Sequence, residues 1–335
     1  MGREIVMSGM PIQYCMFAVD ETAYCLWDRD LQDRTISFLE DVDPEYFVYL
    51  ANAHTKAEEG EEQHSALAIR TAYAQALETL FAFLGATLQA PLCVPARLSK
   101  YQNKDLDKLI DKIRMRRPIY SSLGYKSLSW QAISEEIHTS LVLEDKEKER
   151  MIKHQFGRLW SQFASDFLDE DSGREYNSIK HGFRVKPGGY FSALGLEEQP
   201  GIPAPPEKMR TIGRSDFGSS FLVQENICEN KNQKHHFQLK SRRINWSPQD
   251  MLYGLHFIAL SLTNIIAYLK IQNGTGAEEV QFQWSGNEEE YHEPWKRRKT
   301  FGMMIYLVDP PIKEDDIEKF TKEQILSVYK FNAKE

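Results

Sequence analysis

The chain lacks most of the short signatures that assign a protein at sight. No run of 18 or more apolar residues occurs in its 335 residues, so no membrane-spanning helix is expected. The start, "MGREIVMSGMPIQYCMFAVDE", has no uninterrupted apolar stretch and does not predict a secretory leader. Val6 stands where N-myristoylation needs Ser or Thr. There is no Walker-type phosphate loop, no dinucleotide-binding G-x-G-x-x-G and no nucleophile elbow. Cysteine is scarce: Cys15, Cys25, Cys93 and Cys228 form no C-x-x-C pair, and buried, reduced thiols of a cytoplasmic protein are expected. Internal repeats and low-complexity tracts are also absent.

What is present is an ordinary apolar content of 41% and a net charge of −8 that is unevenly spread. Between Asp20 and Glu62 there are 13 acidic and 3 basic residues, whereas Arg97 to Lys126 holds 9 basic and 3 acidic ones. "KNQKHHFQLKSRR" (231–243) and "KRRK" (296–299) are further basic groups. The acidic balance argues against indiscriminate nucleic-acid binding, yet a local basic face would suit a phosphate backbone. Trp284 and Trp295 near "WKRRK" are candidates for stacking on bases.

Residues 1–42 carry no decisive pattern. Asp43 and Pro44 predict the start of a short helix over 44–55. Apolar residues at 66, 69, 73, 77, 80, 84 and 88 predict a long helix over 61–91, stopped by Pro91. Helices are predicted near 105–116, over 129–143 and over 146–170. Residues 185–216 are rich in Gly and Pro and predict a long irregular connection. Runs 219–227 and 235–246 predict a hairpin. Ser247 as N-cap, Pro248 at the first position and Gly274 as terminator frame the most apolar helix. Two short strands, at 279–285 and 301–308, and a helix over 314–330 complete the expectation. The sum is a mainly α protein: a helical bundle with a small β addition. Its parts are an N-terminal extension (1–60), the bundle (61–183 and 247–272), an inserted loop and hairpin (184–246), and C-terminal strands and helix (273–335).

Within this frame, "SGREYNSIKHGFR" (172–184) stands out. Ser172 and Glu175 have the spacing of a capping box, and Gly182 suits a left-handed terminator, predicting a helix over 173–181. Arg174, Asn177 and His181 then lie at i, i+3 and i+7 on one face. Arginine can hold two phosphate oxygens with its planar fork, and histidine exchanges protons near neutral pH. Lys180 and Arg184 add positive charge for substrate. A structural role is equally open: Arg174 could pair with Asp169, Glu170 or Asp171, and His181 could cap a helix.

A later helix carrying Arg and His with six residues between, Arg174 and His181, resembles the HEPN superfamily. The long helix "HSALAIRTAYAQALETLFAFLGA" resembles the first helix of many such bundles, and Asn177-x-x-Lys180-His181-Gly182 is similar to a variant among HEPN-like proteins. The resemblance covers 61–183 and 247–272. It implies a metal-independent endoribonuclease of a toxin or phage-defence type with Arg174, His181 and Asn177 as catalytic groups. It also implies a homodimer, an RNA or nucleotide ligand, an antitoxin or regulatory partner and no cofactor. A non-catalytic nucleotide-, RNA- or protein-binding module, or a structural dimerisation protein, is the alternative. Glu175 stands where active members often carry Asn, Asp or His, and is expected to be taken up in the cap. For metals, His54 and Glu58 are spaced i, i+4 but lack a compact ligand set. His235 and His236 are expected on opposite faces of a strand, and His256 inside the core.

Overall fold

The structure is a computed structural model that describes residues 12–55, 60–120, 127–196, 199, 201–202, 204–228, 235–292, 295 and 312–327. The chain divides into two compact units: residues 1–176 with 246–302, and residues 177–245 with 303–335. Of the described residues, 55% are helical and 16% lie in strands of three small sheets. The expected helical bundle is therefore corrected to a helix-rich mixed α/β architecture.

The first unit begins with a hairpin that the sequence pattern did not reveal. Strands β1 (Gln13–Val19) and β2 (Thr22–Asp28) pair antiparallel around Asp20 and Glu21, with Val19 opposite Thr22. Asp20 has φ of 52° at this turn, a left-handed value that aspartate tolerates better than most residues. One hairpin face packs Phe17 and Val19 against Leu31, Ala90 and Cys93.

Helices α1 (Leu31–Asp41), α2 (Glu45–His54), α3 (Glu62–Gln89), α4 (Val94–Leu98), α5 (Asn103–Arg114), α6 (Trp130–Ile137), α7 (Lys146–Phe167) and α8 (Glu170–Lys180) follow. Helix α2 starts at Glu45, with Pro44 as its N-cap rather than its first residue, and Asp43 Oδ1 accepts the Glu45 N–H at 2.9 Å. Ser247 caps α9 (Pro248–Gln272) as predicted, accepting from Asp250 N–H at 3.3 Å, and Ser129, which the sequence reading did not single out, caps α6 by accepting from Ala132 N–H at 3.1 Å. The central pair is α3 against α9. Gly254 makes their approach possible: a Cβ there would sit 2.4 Å from the Tyr73 ring. By length and composition α9 could cross a membrane, but 78% of its apolar window is buried inside the fold, which marks it as a core helix.

The predicted strand at 279–285 is not formed. Gln283 is held instead by one side chain: Asn264 Nδ2 donates to the Gln283 carbonyl at 2.8 Å, and Asn264 Oδ1 accepts its N–H at 2.7 Å. Those backbone groups are thereby satisfied without a ladder. The strand expected at 301–308 lies outside the described residues.

In the second unit, β3 (Val185–Pro187), β6 (Gly218–Asn226) and β7 (Phe237–Asn245) form an antiparallel sheet in the order β3-β6-β7. The predicted hairpin is thus present as β6–β7. The stretch read as irregular contains β3 and a second ribbon, β4 (Phe191–Leu194) with β5 (Arg210–Arg214). Phe221, Val223 and Ile244 are buried on one sheet face, while Leu222, Phe237 and Leu239 are exposed on the other. Of the helix expected over 314–330, only α10 (Lys322–Ser327) and a 3-10 turn at Glu314–Asp316 occur among the described residues.

Candidate nucleic-acid interface

The division between the units falls inside α8, after Tyr176, so Arg174 belongs to the first unit and Asn177, Lys180, His181 and Arg184 to the second. Helix α8 runs from Glu170 to Lys180 rather than 173–181. Its cap is Asp169, whose Oδ2 accepts the Ser172 N–H at 2.9 Å. The predicted Ser172/Glu175 capping box is therefore absent, because both side chains serve a buried network instead. Arg70 Nε donates to Glu175 Oε2 at 2.7 Å, and Arg70 Nη2 donates to Ser172 Oγ at 2.9 Å. Trp246 Nε1 donates to Glu175 Oε1 at 3.0 Å. Glu175 is only 1% exposed. Arg70 reached Glu175 across 105 positions, a pairing that no local pattern could announce.

Arg174 is half-buried and paired with Glu170, one turn earlier. Such an i, i+4 surface pair is weak.

In the second unit, Asn177, Lys180, His181 and Arg184 are all exposed, while Ser178 is buried. His181 directly follows the last helical residue, and its N–H bonds the Asn177 carbonyl at 3.0 Å. Gly182 has φ of 93°, the terminator geometry predicted for it. The next residue breaks the usual rule. Phe183 also has positive φ, 50°, a conformation disfavoured for a bulky side chain, and it is 62% exposed. Arg184 Nε donates to the His181 carbonyl at 3.0 Å. Lys186, on β3, is exposed as well. Phe183 was missed in the sequence because only its backbone angle and exposure distinguish it from a packed aromatic.

The other basic groups have partners of their own. Arg97 is fully buried, held by Gln89 Oε1 at 2.9 and 3.1 Å and by the Ala82 carbonyl at 3.1 Å. Burial pushes its guanidinium down to about 10. Lys108 and Lys112 both donate to Asp20, at 2.7 and 3.0 Å, so part of the basic stretch is engaged by the acidic one at the β1–β2 turn. That contact holds Asp20 below the usual carboxylate range. Lys240 and Arg242 pair with Glu225, and Arg243 lies 4.7 Å over the Tyr190 ring. Trp295 packs edge-on against Phe163, and Lys148 covers Trp284. The "KRRK" group lies outside the described residues.

The histidines depart from expectation. His256 is exposed rather than buried. His235 and His236 precede β7 with ring centres 4.3 Å apart, and both bind the backbone of Phe320: Nε2 of His235 lies 2.9 Å from its carbonyl, and its N–H donates to His236 Nε2 at 3.0 Å. His138, unremarkable in the sequence, is fully buried between Phe156 and Trp160. Its Nδ1 lies 2.8 Å from the Ser134 carbonyl, and Asn264 Nδ2 donates to its Nε2 at 3.1 Å, which fixes the neutral Nδ1–H tautomer. Burial pushes its pKa down to about 4. No group of metal-ligating side chains occurs among the described residues.

No family model, curated protein or solved structure matches the chain. The likeness to the HEPN superfamily thus rests on the motif residues and the long helix of the sequence alone.

Proposed function

We propose that this protein binds single-stranded RNA, in the cytoplasm, through the C-terminal end of α8 and the turn that follows. The carrying observation is the joint exposure of Asn177, Lys180, His181, Phe183 and Arg184 within eight consecutive positions. Residues 177–245 carry 11 Lys and Arg against 6 Asp and Glu, so the surrounding charge favours a polyanion. Lys180, Arg184 and Lys186 suit backbone phosphates, and Asn177 can bond a base edge or a sugar hydroxyl. An exposed Phe183 offers a face on which an unpaired base stacks, worth about 1–3 kcal/mol. Glu175, the carboxylate that would repel phosphate, is withdrawn into its ion pair with Arg70.

A second reading follows from His181 at the tip of the same surface. A neutral imidazole there can take the proton of a 2′-hydroxyl, whose oxygen then attacks the adjacent phosphorus. The 5′-oxygen departs and takes a proton from water, leaving a 2′,3′-cyclic phosphate.

The test is binding of a labelled oligouridine by the purified full chain, beside a Lys180→Ala/Arg184→Ala variant. An affinity loss of tenfold or more in the variant, with unchanged melting, is expected. Equal affinity in both would overturn the proposal. The same samples incubated in EDTA with a mixed RNA pool decide the second reading: cyclic phosphate ends that vanish in His181→Ala establish cleavage, and intact RNA leaves binding alone.

A further inference from the structure

The strand alternation of β1 points Cys15, Phe17 and Val19 inward. Cys93 lies in the turn between α3 and α4, fully buried in the same cluster. The two thiol sulfurs stand 2.7 Å apart, about 0.7 Å beyond the length of a disulfide bond. The other cysteines do not compete. Cys25 is opposite the exposed Met16 in the hairpin register, whereas Cys15 is opposite Leu26, so Cys25 occupies the other face. Cys228 belongs to the second unit.

We infer that Cys15 and Cys93 form an oxidation site, whose disulfide ties strand β1 to the α3–α4 turn. The two thiols are inequivalent. Cys15 is half-buried and Cys93 is sealed from solvent, so an oxidant meets Cys15 first. The Cys93 S–H directed at the Cys15 sulfur lowers the pKa of Cys15, while the same contact and burial raise that of Cys93. With a small disulfide such as glutathione disulfide as oxidant, the Cys15 thiolate attacks one sulfur and expels a glutathione thiolate. Cys93, losing its proton, then attacks Cys15 Sγ and expels the second. Two protein thiols are oxidised, and one glutathione disulfide is reduced to two glutathione molecules. The bond would close a loop from residue 15 to residue 93 across the hairpin, α1, α2 and α3.

The experiment equilibrates the full chain in glutathione buffers of increasing oxidised fraction, alkylates under denaturing conditions and maps the unreduced peptides by mass spectrometry. The expected result is a Cys15–Cys93 cross-linked peptide with Cys25 alkylated, together with an upward shift in Tm that Cys15→Ser lacks. Cys15→Ser should melt close to the reduced wild type, since residue 15 is only half-buried, which separates loss of the bond from loss of the fold. Alkylation of both Cys15 and Cys93 in the most oxidising buffer would overturn the inference. So would a cross-link from Cys15 to Cys25, or Cys15 found only as its glutathione adduct.

Discussion

Glu175 and Asn177 stand two residues apart on α8, yet their surroundings differ as the two units differ. Glu175 is enclosed by Arg70 and Trp246, and each of its oxygens accepts a bond from a fixed donor. Asn177 faces solvent, followed by a lysine, a histidine, a phenylalanine and an arginine that do the same. The first unit treats polar groups as internal ties: His138 to Asn264, Trp160 to Ser261, Tyr73 to Asp166. Groups of that kind are partnered before any ligand arrives. In the second unit, the end of α8 and its following turn keep charged and aromatic side chains exposed, at Lys180, Phe183 and Arg184. One helix thus supplies a structural clamp in its middle and a candidate contact surface at its end.

Substitutions should separate these roles, and the largest effect belongs to the clamp. Glu175→Gln leaves Arg70 charged and buried without its carboxylate, which should lower the stability of the first unit by roughly 3–5 kcal/mol in urea unfolding. Replacing both Arg70 and Glu175 by Met should restore most of that loss, because apolar groups of similar size remove the desolvation cost as well.

Next in size is a pH effect from His138. Its folded pKa of about 4 lies below its ordinary value of 6.5, so the unfolded chain takes up a proton before the native one. The contribution is complete above pH 6.5 and is lost as pH falls from 6.5 towards 4, on the order of 3 kcal/mol. Unfolding curves across this window should show the slope in the wild type, and His138→Gln should flatten it at the cost of a lower plateau.

Surface changes should leave stability nearly untouched. Arg184→Ala is expected to stay within about 0.5 kcal/mol of wild type while reducing the salt slope of RNA binding by about 1. The smallest effect is that of Arg174→Ala, whose exposed partner Glu170 makes the pair worth at most about 0.5 kcal/mol. A melting loss comparable to Glu175→Gln at either position would erase the contrast between the clamp and the surface.

The long helices were legible because their apolar spacing is local, and so is a cap such as Ser247, which acts where the chain places it. The β6–β7 hairpin was legible for the same reason. The β1–β2 hairpin was not, since its two faces are both largely apolar or aromatic and show no clean alternation of polar and apolar residues. The β4–β5 ribbon was hidden by the Gly and Pro around it. Among the candidate site residues, Asn177, Lys180, His181 and Arg184 are exposed. The role of Glu175 was misjudged because Ser172 and Glu175 match a capping box by spacing, while Arg70 offers a stronger partner from a distant helix. Conformation alone singles out Phe183, and conformation is not written in composition.

The end of α8 and its following turn are proposed as a surface for single-stranded RNA. The most direct test of this proposal is a titration of labelled oligouridine, alone and against duplex RNA as competitor, at two salt concentrations. Wild type is compared with Phe183→Ala and with Lys180→Ala/Arg184→Ala. The double charge variant is expected to weaken binding and to flatten its salt dependence. Phe183→Ala is expected to keep the salt dependence but to lose the preference for the single strand. Unchanged affinity and unchanged preference in both variants would contradict the proposal.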